Sequence, residues 1–520
     1  MYRISTSTNH SVISAMILRI KVFFILLLGF FIVTPLAGQE VPVFPEVGAQ
    51  RVTQAPVIDG VLDEDVWTLA PSISDFVQQE PSVGSPATEK TQVKFLYDDD
   101  ALYLGVRAFD SDVDGVVSSE MRRDSDRILD EDYFALILDT FKDSRSGYMF
   151  VVSPLGAKLE QQVFEEGEGG RPGWPSPNIN RNWDGVWEAG TRITQEGWTA
   201  EIAIPMVTIR FPEVDQQVWG ANFKRNIRRK NEQVYWSAIP QAYDLTRVSL
   251  AGNIVGMEDL SRGMDLRVKP FLVAGGSRKQ TLAQTENSSH GDVGLDLKYG
   301  VTAGLNLDVT VNTDFAQAEV DDEKINLTRF PLFFPEKREF FLENAGQFNI
   351  GAVSIVGRTA DLFFSRRIGI SDSGAQIPIL AGARMSGKMT NSTTVGLVNM
   401  QTEAVDGLAT ANNFTVARMR RELPNRSNFG GIFVNRQGTG SLARPDDYNR
   451  SYAVDGRWGV GQNGTVQGFV GRTQTPGRTG RDHALNFSGQ YDSEMWRVIS
   501  GYQENGEDFN PEVGFLRRRN

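Results

Sequence analysis

Five carboxylates crowd one short stretch of the chain, Asp124, Asp126, Asp130, Glu131 and Asp132, interleaved with Arg122, Arg123 and Arg127. Hard oxygen ligands at this density suit Ca²⁺, with Asp126, Asp130 and Asp132 as the candidate ligands. The glycine-spaced signature of a helix–loop–helix calcium site is missing. Two carboxylates can also flank a glycosidic bond, which singles out the pairs Asp124/Asp132 and Glu165/Glu166. The plainer reading, a solvated loop whose acids pair with its own arginines, is favoured over both. Other chemistries are thinly supplied. There is no cysteine, so disulfides, thiol catalysis and Cys-ligated zinc are excluded. Three histidines, His10, His290 and His483, are too few and too scattered for a triad or a multi-histidine metal site. No cofactor is required by this set, and calcium is the single candidate.

With 520 residues the chain can bury more than one core. Its net charge of −12 argues against nucleic acid, which needs clustered Lys and Arg. A mean hydropathy of −0.29 excludes a helical membrane protein but not a barrel, in which half of each strand can face a polar interior. The 51 glycines and 31 phenylalanines suit many strands with tight turns and aromatic girdles. Arg19 and Lys21 precede an apolar run, Val22 to Val33, that ends in Thr34-Pro35-Leu36-Ala37-Gly38. That order predicts a secretory signal over residues 1–38, too short to span a bilayer as a helix, followed by a linker over 39–50. Gln39 stands where a lipid-anchored protein needs cysteine.

Residues 51–260 read as short strands. Thr91–Tyr97 and Ala101–Arg107 alternate on either side of Asp98-Asp99-Asp100, a hairpin signature. Tyr133 to Leu138 is a continuous apolar run, short enough for a strand buried on both faces, and Tyr148 to Val152 can pair with it. Trp198 to Ile204 alternates and stops at Pro205. Near the start, Asp59-Gly60 turns the chain into a short helical turn that Asp63 is placed to cap and Trp67 to pin. The expectation is an antiparallel β-sandwich.

Asp59-Gly60-x-Leu62-Asp63-Glu64-x-x-Trp67, the strand pair around Tyr97, the Asp132…Asp139 strand and Gly197-Trp198-Thr199-Ala200-Glu201-Ile202-Ala203-Ile204-Pro205 together resemble the family 9 carbohydrate-binding modules. The resemblance implies a β-sandwich and, as ligand, a polysaccharide or oligosaccharide end held between aromatic rings. Of the nine tryptophans, 67, 174, 183, 187, 198, 219 and 236 fall in this unit. An aromatic face takes the apolar face of a sugar while amides, carboxylates and arginines take its hydroxyls. Trp174, in the Gly/Pro-rich loop 167–177, and Trp183 are the candidate platforms, with Arg122, Asp124 and Gln161 as polar partners. Trp67, Trp187 and Trp198 are expected in the core.

Beyond residue 262 the grammar changes. Val293–Tyr299 and Leu305–Asn312 alternate strictly, and similar segments recur near 378–387, 412–419, 427–435, 452–458, 464–471, 484–491 and 495–502. Strands apolar on one side and polar on the other, separated by Gly, Asn, Asp and Pro turns, predict an antiparallel transmembrane β-barrel over 262–520. The segment 314–350 breaks the pattern. Phe330-Pro331-Leu332-Phe333-Phe334-Pro335-Glu336-Lys337-Arg338-Glu339-Phe340-Phe341-Leu342-Glu343 cannot be a regular central strand and reads as a plug or docking piece. With Ala360–Gly369 and Asn182-Trp183-Asp184-Gly185-Val186-Trp187-Glu188, it resembles the DUF5916-like envelope proteins, which join a family-9-like module to an outer-membrane barrel. That resemblance implies a chain in the outer membrane, its sandwich periplasmic or surface-exposed, with membrane lipid and the barrel assembly machinery as partners. Because the chain stops at Arg517-Arg518-Arg519-Asn520 and not on an aromatic strand end, the barrel is expected to be incomplete. Three functions stay open. They are glycan capture supporting breakdown or uptake, a transport or assembly barrel whose sandwich binds no sugar, and a carboxylate glycosidase.

Overall fold

The computed structural model describes residues 44–168, 176, 178–261, 266–280, 285–313, 334, 336–350, 360–371, 376–441, 443–493 and 495–516. The expected signal, Trp174 and the terminal arginines lie outside them. The protein is nearly all β.

Two mainly antiparallel sheets face each other in the N-terminal half. One runs Glu46–Gly48, Gly252–Glu258, Gln216–Ile227, Tyr133–Asp139, Gly147–Val152, Lys158–Val163 and Ile179–Asn180, and the other runs Glu188–Thr194, Gly197–Pro205, Ala101–Phe109, Thr91–Tyr97 and Gln50–Arg51. The hairpin at Asp98 forms because its carboxylate accepts the amides of Asp100 (2.9 Å) and Ala101 (2.8 Å) and so closes the turn. Tyr133–Asp139 is buried along its whole length, as a continuous apolar run requires. Phe95 of one sheet meets Phe223 of the other at 5.3 Å, within a core that also holds Trp187, Trp198 and Trp219.

Two boundaries differ from the sequence reading. Glu46–Gly48 pairs in parallel with Gly252–Glu258, so part of the expected linker is sandwich. The helical turn, Val66–Leu69, starts after Asp65 and has no side-chain cap, so Asp63 does not cap it. What holds this corner is Glu201. Its fully buried carboxylate accepts the amides of Asp59 (3.0 Å) and Gly60 (2.9 Å) and the Trp67 indole N–H (2.9 Å). Gly60 sits at φ +87°, and a Cβ there would lie 2.7 Å from the Thr191 backbone. Gly60→Ala is expected to cost about 2 kcal/mol or more, from left-handed strain plus the clash. A lowered denaturant midpoint, read by tryptophan fluorescence of the full chain, checks this.

Among the described residues the C-terminal half carries one antiparallel meander of eleven strands, from Leu266–Gln280 and Thr285–Thr302 to His483–Asp492 and Arg497–Asn505, beside a short pair, Ala360–Asp361 with Phe515–Leu516. Among the described residues its two outermost strands each pair on one side only. One face is covered. Phe340, Phe341, Phe348, Leu362, Phe509 and Val513 pack there against Val398, Met400, Phe414, Val416, Ile432 and Phe469. The rest of that face carries buried polar groups such as Ser386, Thr394, Asn428 and an Arg418–Asp455 fork with contacts of 2.6 and 2.7 Å. The other face is open and apolar: Val293, Leu397, Met419, Phe429, Phe433, Val454 and Trp458 are all exposed. That is the reverse of a water-soluble sheet.

Within 314–350, the described stretch 336–350 is not strand. It contains a helical turn, Glu339–Leu342, whose Phe340 carbonyl accepts from Arg384 at 2.8 Å, and a 3₁₀ turn, Ala345–Phe348. Phe348 presses on Gly396, where a Cβ would lie 2.7 Å from its ring.

Candidate functional site at the junction of sandwich and sheet

Among the described residues, those singled out for sugar binding do not converge on an open aromatic surface. Trp183 is 7% exposed and packs on Tyr148 (5.1 Å) and Phe150 (5.9 Å), so it is a core ring and not a platform. Gln161 is buried within the strand Lys158–Val163. Arg122 is exposed and forked onto Glu120 at 3.0 and 2.8 Å. Asp124 lies 3.7 Å from the Arg123 guanidinium, and burial pushes its carboxyl up despite that neighbour. Beside it is a cluster that sequence reading missed. Arg123 reaches Glu160, Asp184 (2.6 Å) and the Gly185 carbonyl (3.0 Å), while Trp187 donates to Glu160 at 2.9 Å. Lys158 lies 4.8 Å over the Trp187 ring.

The calcium trio is not brought together. Asp126 takes both contacts from Arg181, at 2.7 and 2.8 Å. Asp132 is buried and accepts the amides of Val117 (2.7 Å) and Arg228 (3.3 Å). Asp130 ends the 3₁₀ turn between them. Among the described residues no group of three or more acidic or histidine side chains is arranged to hold a metal ion. Carboxylates that already have cationic or amide partners have little left to offer Ca²⁺.

Glu165 and Glu166 have a different role. They end the strand Lys158–Val163 in a tight turn with φ of +46° and +57°, which drives both side chains into the sheet beneath. Glu165 receives Arg457 (2.7 Å), Arg420 (3.1 Å) and Asn428 (3.0 Å). Glu166 meets Arg247 (3.1 Å) and Arg426 (3.4 Å), and Glu168 meets Arg247 (2.7 Å) and Arg457 (2.6 Å). Burial pushes the Glu165 carboxyl up, but the surrounding arginines outweigh it and leave the group below its ordinary value. A carboxylate held so firmly as an anion is a poor proton donor, which removes it as a glycosidase acid.

More contacts extend this junction. Asp143 pairs with Lys388 at 2.5 Å, and Arg145 donates to the carbonyls of Leu423 (2.9 Å) and Ser427. The Tyr243 hydroxyl donates to carbonyls of Gln462 and Asp492, and Arg247 to Gln462 at 2.6 Å. The segment 336–350 closes the remaining side, where Asn180 donates to Leu342 (2.7 Å) and Asn182 to Glu336 (3.1 Å). A cavity of about 50 Å³ lined by Tyr148, Gln162, Arg210, Asn344 and Lys388 remains between them. It has room for a few waters and not for a sugar ring. The stems of the Trp174 loop start here too: Ser176 and Asn178 donate to the Glu168 carbonyl at 2.7 and 2.9 Å.

Residues 58–238 match the family described as carbohydrate family 9 binding domain-like, and residues 264–437 match the domain of unknown function DUF5916. Among solved structures, the chain is similar to a family 9 carbohydrate-binding module from Caldicellulosiruptor kristjanssonii in complex with cellotriose. The identity is 18% over 41% of this chain and 93% of that one, with a TM-score of 0.28. The same module in complex with glucose gives 17%, 41%, 95% and 0.29. A putative carbohydrate-binding protein from Bacteroides uniformis gives 13%, 41%, 99% and 0.32. No curated protein matches the chain. In chain order, therefore, the protein matches a carbohydrate family 9 binding domain-like module and then a DUF5916 domain.

Proposed function

We propose that this is an outer-membrane protein whose sandwich binds oligosaccharide or polysaccharide and holds it at the membrane for breakdown or uptake. The carrying observation is the inverted polarity of the eleven-stranded sheet directly beneath a family-9-like sandwich. Lipid accepts the apolar open face, and the polar covered face suits the inside of a barrel. On Tyr448–Val460 the outward positions from Tyr452 to Val460 are apolar or glycine. They cover roughly 26 Å of strand, or about 20 Å after the tilt of a membrane barrel, near the ~25 Å apolar band of such proteins. Insertion would go through the barrel assembly machinery.

A second reading has its own support: the sandwich is a docking domain that takes no sugar. Among the described residues every tryptophan of the sandwich is buried. Sugar stacking would then rest on Trp174. Titration of the detergent-purified full chain with cello- and xylo-oligosaccharides separates the two. The first reading expects binding that weakens about tenfold or more in Trp174→Ala, roughly 1.4 kcal/mol. An unchanged affinity in that variant moves the site elsewhere. No binding to any glucan, xylan or host-type glycan leaves the docking reading in place.

A further inference from the structure

We infer that the sandwich stands on the periplasmic side, seated across the mouth of the barrel, so that any glycan it binds is one already inside the outer membrane. This rests on the membrane reading above and adds a direction to it.

The argument starts from the connections. At one end of the sheet the strands are joined by residues 303–304, 391–392, 424–426, 461–463 and 493–496, turns of two to four residues. At the other end the joints are 281–284, 312–378, 403–410, 440–447 and 475–482, all but the first of eight residues or more. Outer-membrane barrels keep short turns in the periplasm and longer loops outside. The junction contacts made by the sheet and its turns fall on the short-turn end, and only those of the segment 336–343 come from a long connection: Lys388, Leu423, Arg426, Ser427, Gln462 and Asp492 flank or form four of the five short turns. Gly304, in the fifth, lines the small cavity. Leu266, the first described residue of the sheet, lies at that same end, opposite Tyr299.

A second observation points the same way. Near the short turns the open face is apolar, with Trp458, Phe429 and Trp496 exposed. Toward the long loops it turns polar on the strands between Thr393 and Thr439, while Leu272, Val293 and Val311 keep it apolar on the first three strands. There Asn399, Asn413 and Thr415 hydrogen-bond one another at 2.9–3.3 Å, and Gln401 reaches Thr439 at 2.9 Å. Strands that leave the hydrocarbon only at the long-loop end extend outward into the medium, away from the sandwich.

The chain has no cysteine, so single cysteines can be introduced and labelled in intact cells with a membrane-impermeant maleimide. Ala404→Cys, in the long loop 403–410, is expected to label on intact cells. Gln195→Cys, in an exposed sandwich turn, is expected to label only after the outer membrane is permeabilised. Labelling of Gln195→Cys on intact cells overturns the orientation while leaving the membrane reading intact. A protein that leaves the envelope without detergent overturns the membrane reading itself.

Discussion

Val454→Arg is expected to destabilise the protein by about 2–4 kcal/mol when it is folded in phospholipid vesicles, the cost of an arginine on the lipid face near the bilayer midplane. Val454 is 66% exposed and lies between Tyr452 and Trp458 on the open face. Were that face in water, the same change would move stability by no more than about 0.5 kcal/mol, the usual range for surface positions. The two environments therefore differ by roughly tenfold or more in the folding equilibrium. Asn399→Arg, on the same face but in the polar zone near the long loops, is expected to cost at most about 1 kcal/mol. Urea unfolding of both variants in vesicles measures the contrast. Equal and small effects would mean that the open face meets water, and the membrane location would fall with it.

The same contrast explains which parts of the fold were legible in the sequence. Alternation is visible when one face is apolar and the other polar along a whole strand, as in Leu305–Val311. Thr393–Thr402 escaped because its polarity swaps midway. Val395 and Leu397 are apolar on the open face at one end, while Val398 and Met400 are apolar on the covered face at the other. The two patterns cancel when summed over the strand. Leu266–Gln280 escaped because Pro270 argues against a strand; among the described pairings it is an outermost strand, where a missing N–H costs least. Sandwich elements were easier to read, because Asp98-Asp99-Asp100 and the Tyr133–Asp139 run encode turn and burial locally. Side-chain roles were not local. Trp183 has the loop surroundings of an exposed platform, yet Tyr148 and Phe150 bury it. Glu165 and Glu166 looked like a catalytic pair. Apart from Arg247, their arginine partners lie on the sheet, 292 residues away for Arg457 and 260 for Arg426, and no spacing rule reaches that far.

Those partners make Glu165 the position where one substitution should separate sandwich from sheet. Glu165→Ala leaves Arg420 buried without its main counter-charge and Arg457 with Glu168 in place of two acidic partners, and breaking a buried pair from one side costs roughly 3–5 kcal/mol. Much of that should appear as undocking, because the sandwich keeps its own core and the sheet keeps its plug. Limited proteolysis of the connector 259–265 in the detergent-purified full chain reads it: slow cleavage in the parent, at least tenfold faster in the variant. Glu165→Gln, which keeps an oxygen for Asn428 but loses the charge, should fall between. If the interaction is pairwise, the double variant Glu165→Ala/Arg457→Ala should cost clearly less than the sum of the two singles. The pH dependence has a fixed sign. With the folded pKa below the unfolded value of about 4.3, the carboxylate's contribution is present in full above that value and is lost as pH falls through the folded one. Docking should hold from pH 5 to 7 and loosen below about pH 4, with little response to salt because the pair is shielded from it. Proteolysis rates unchanged in Glu165→Ala, or docking that tightens on acidification, would show that the acidic turn does not hold the sandwich at the mouth.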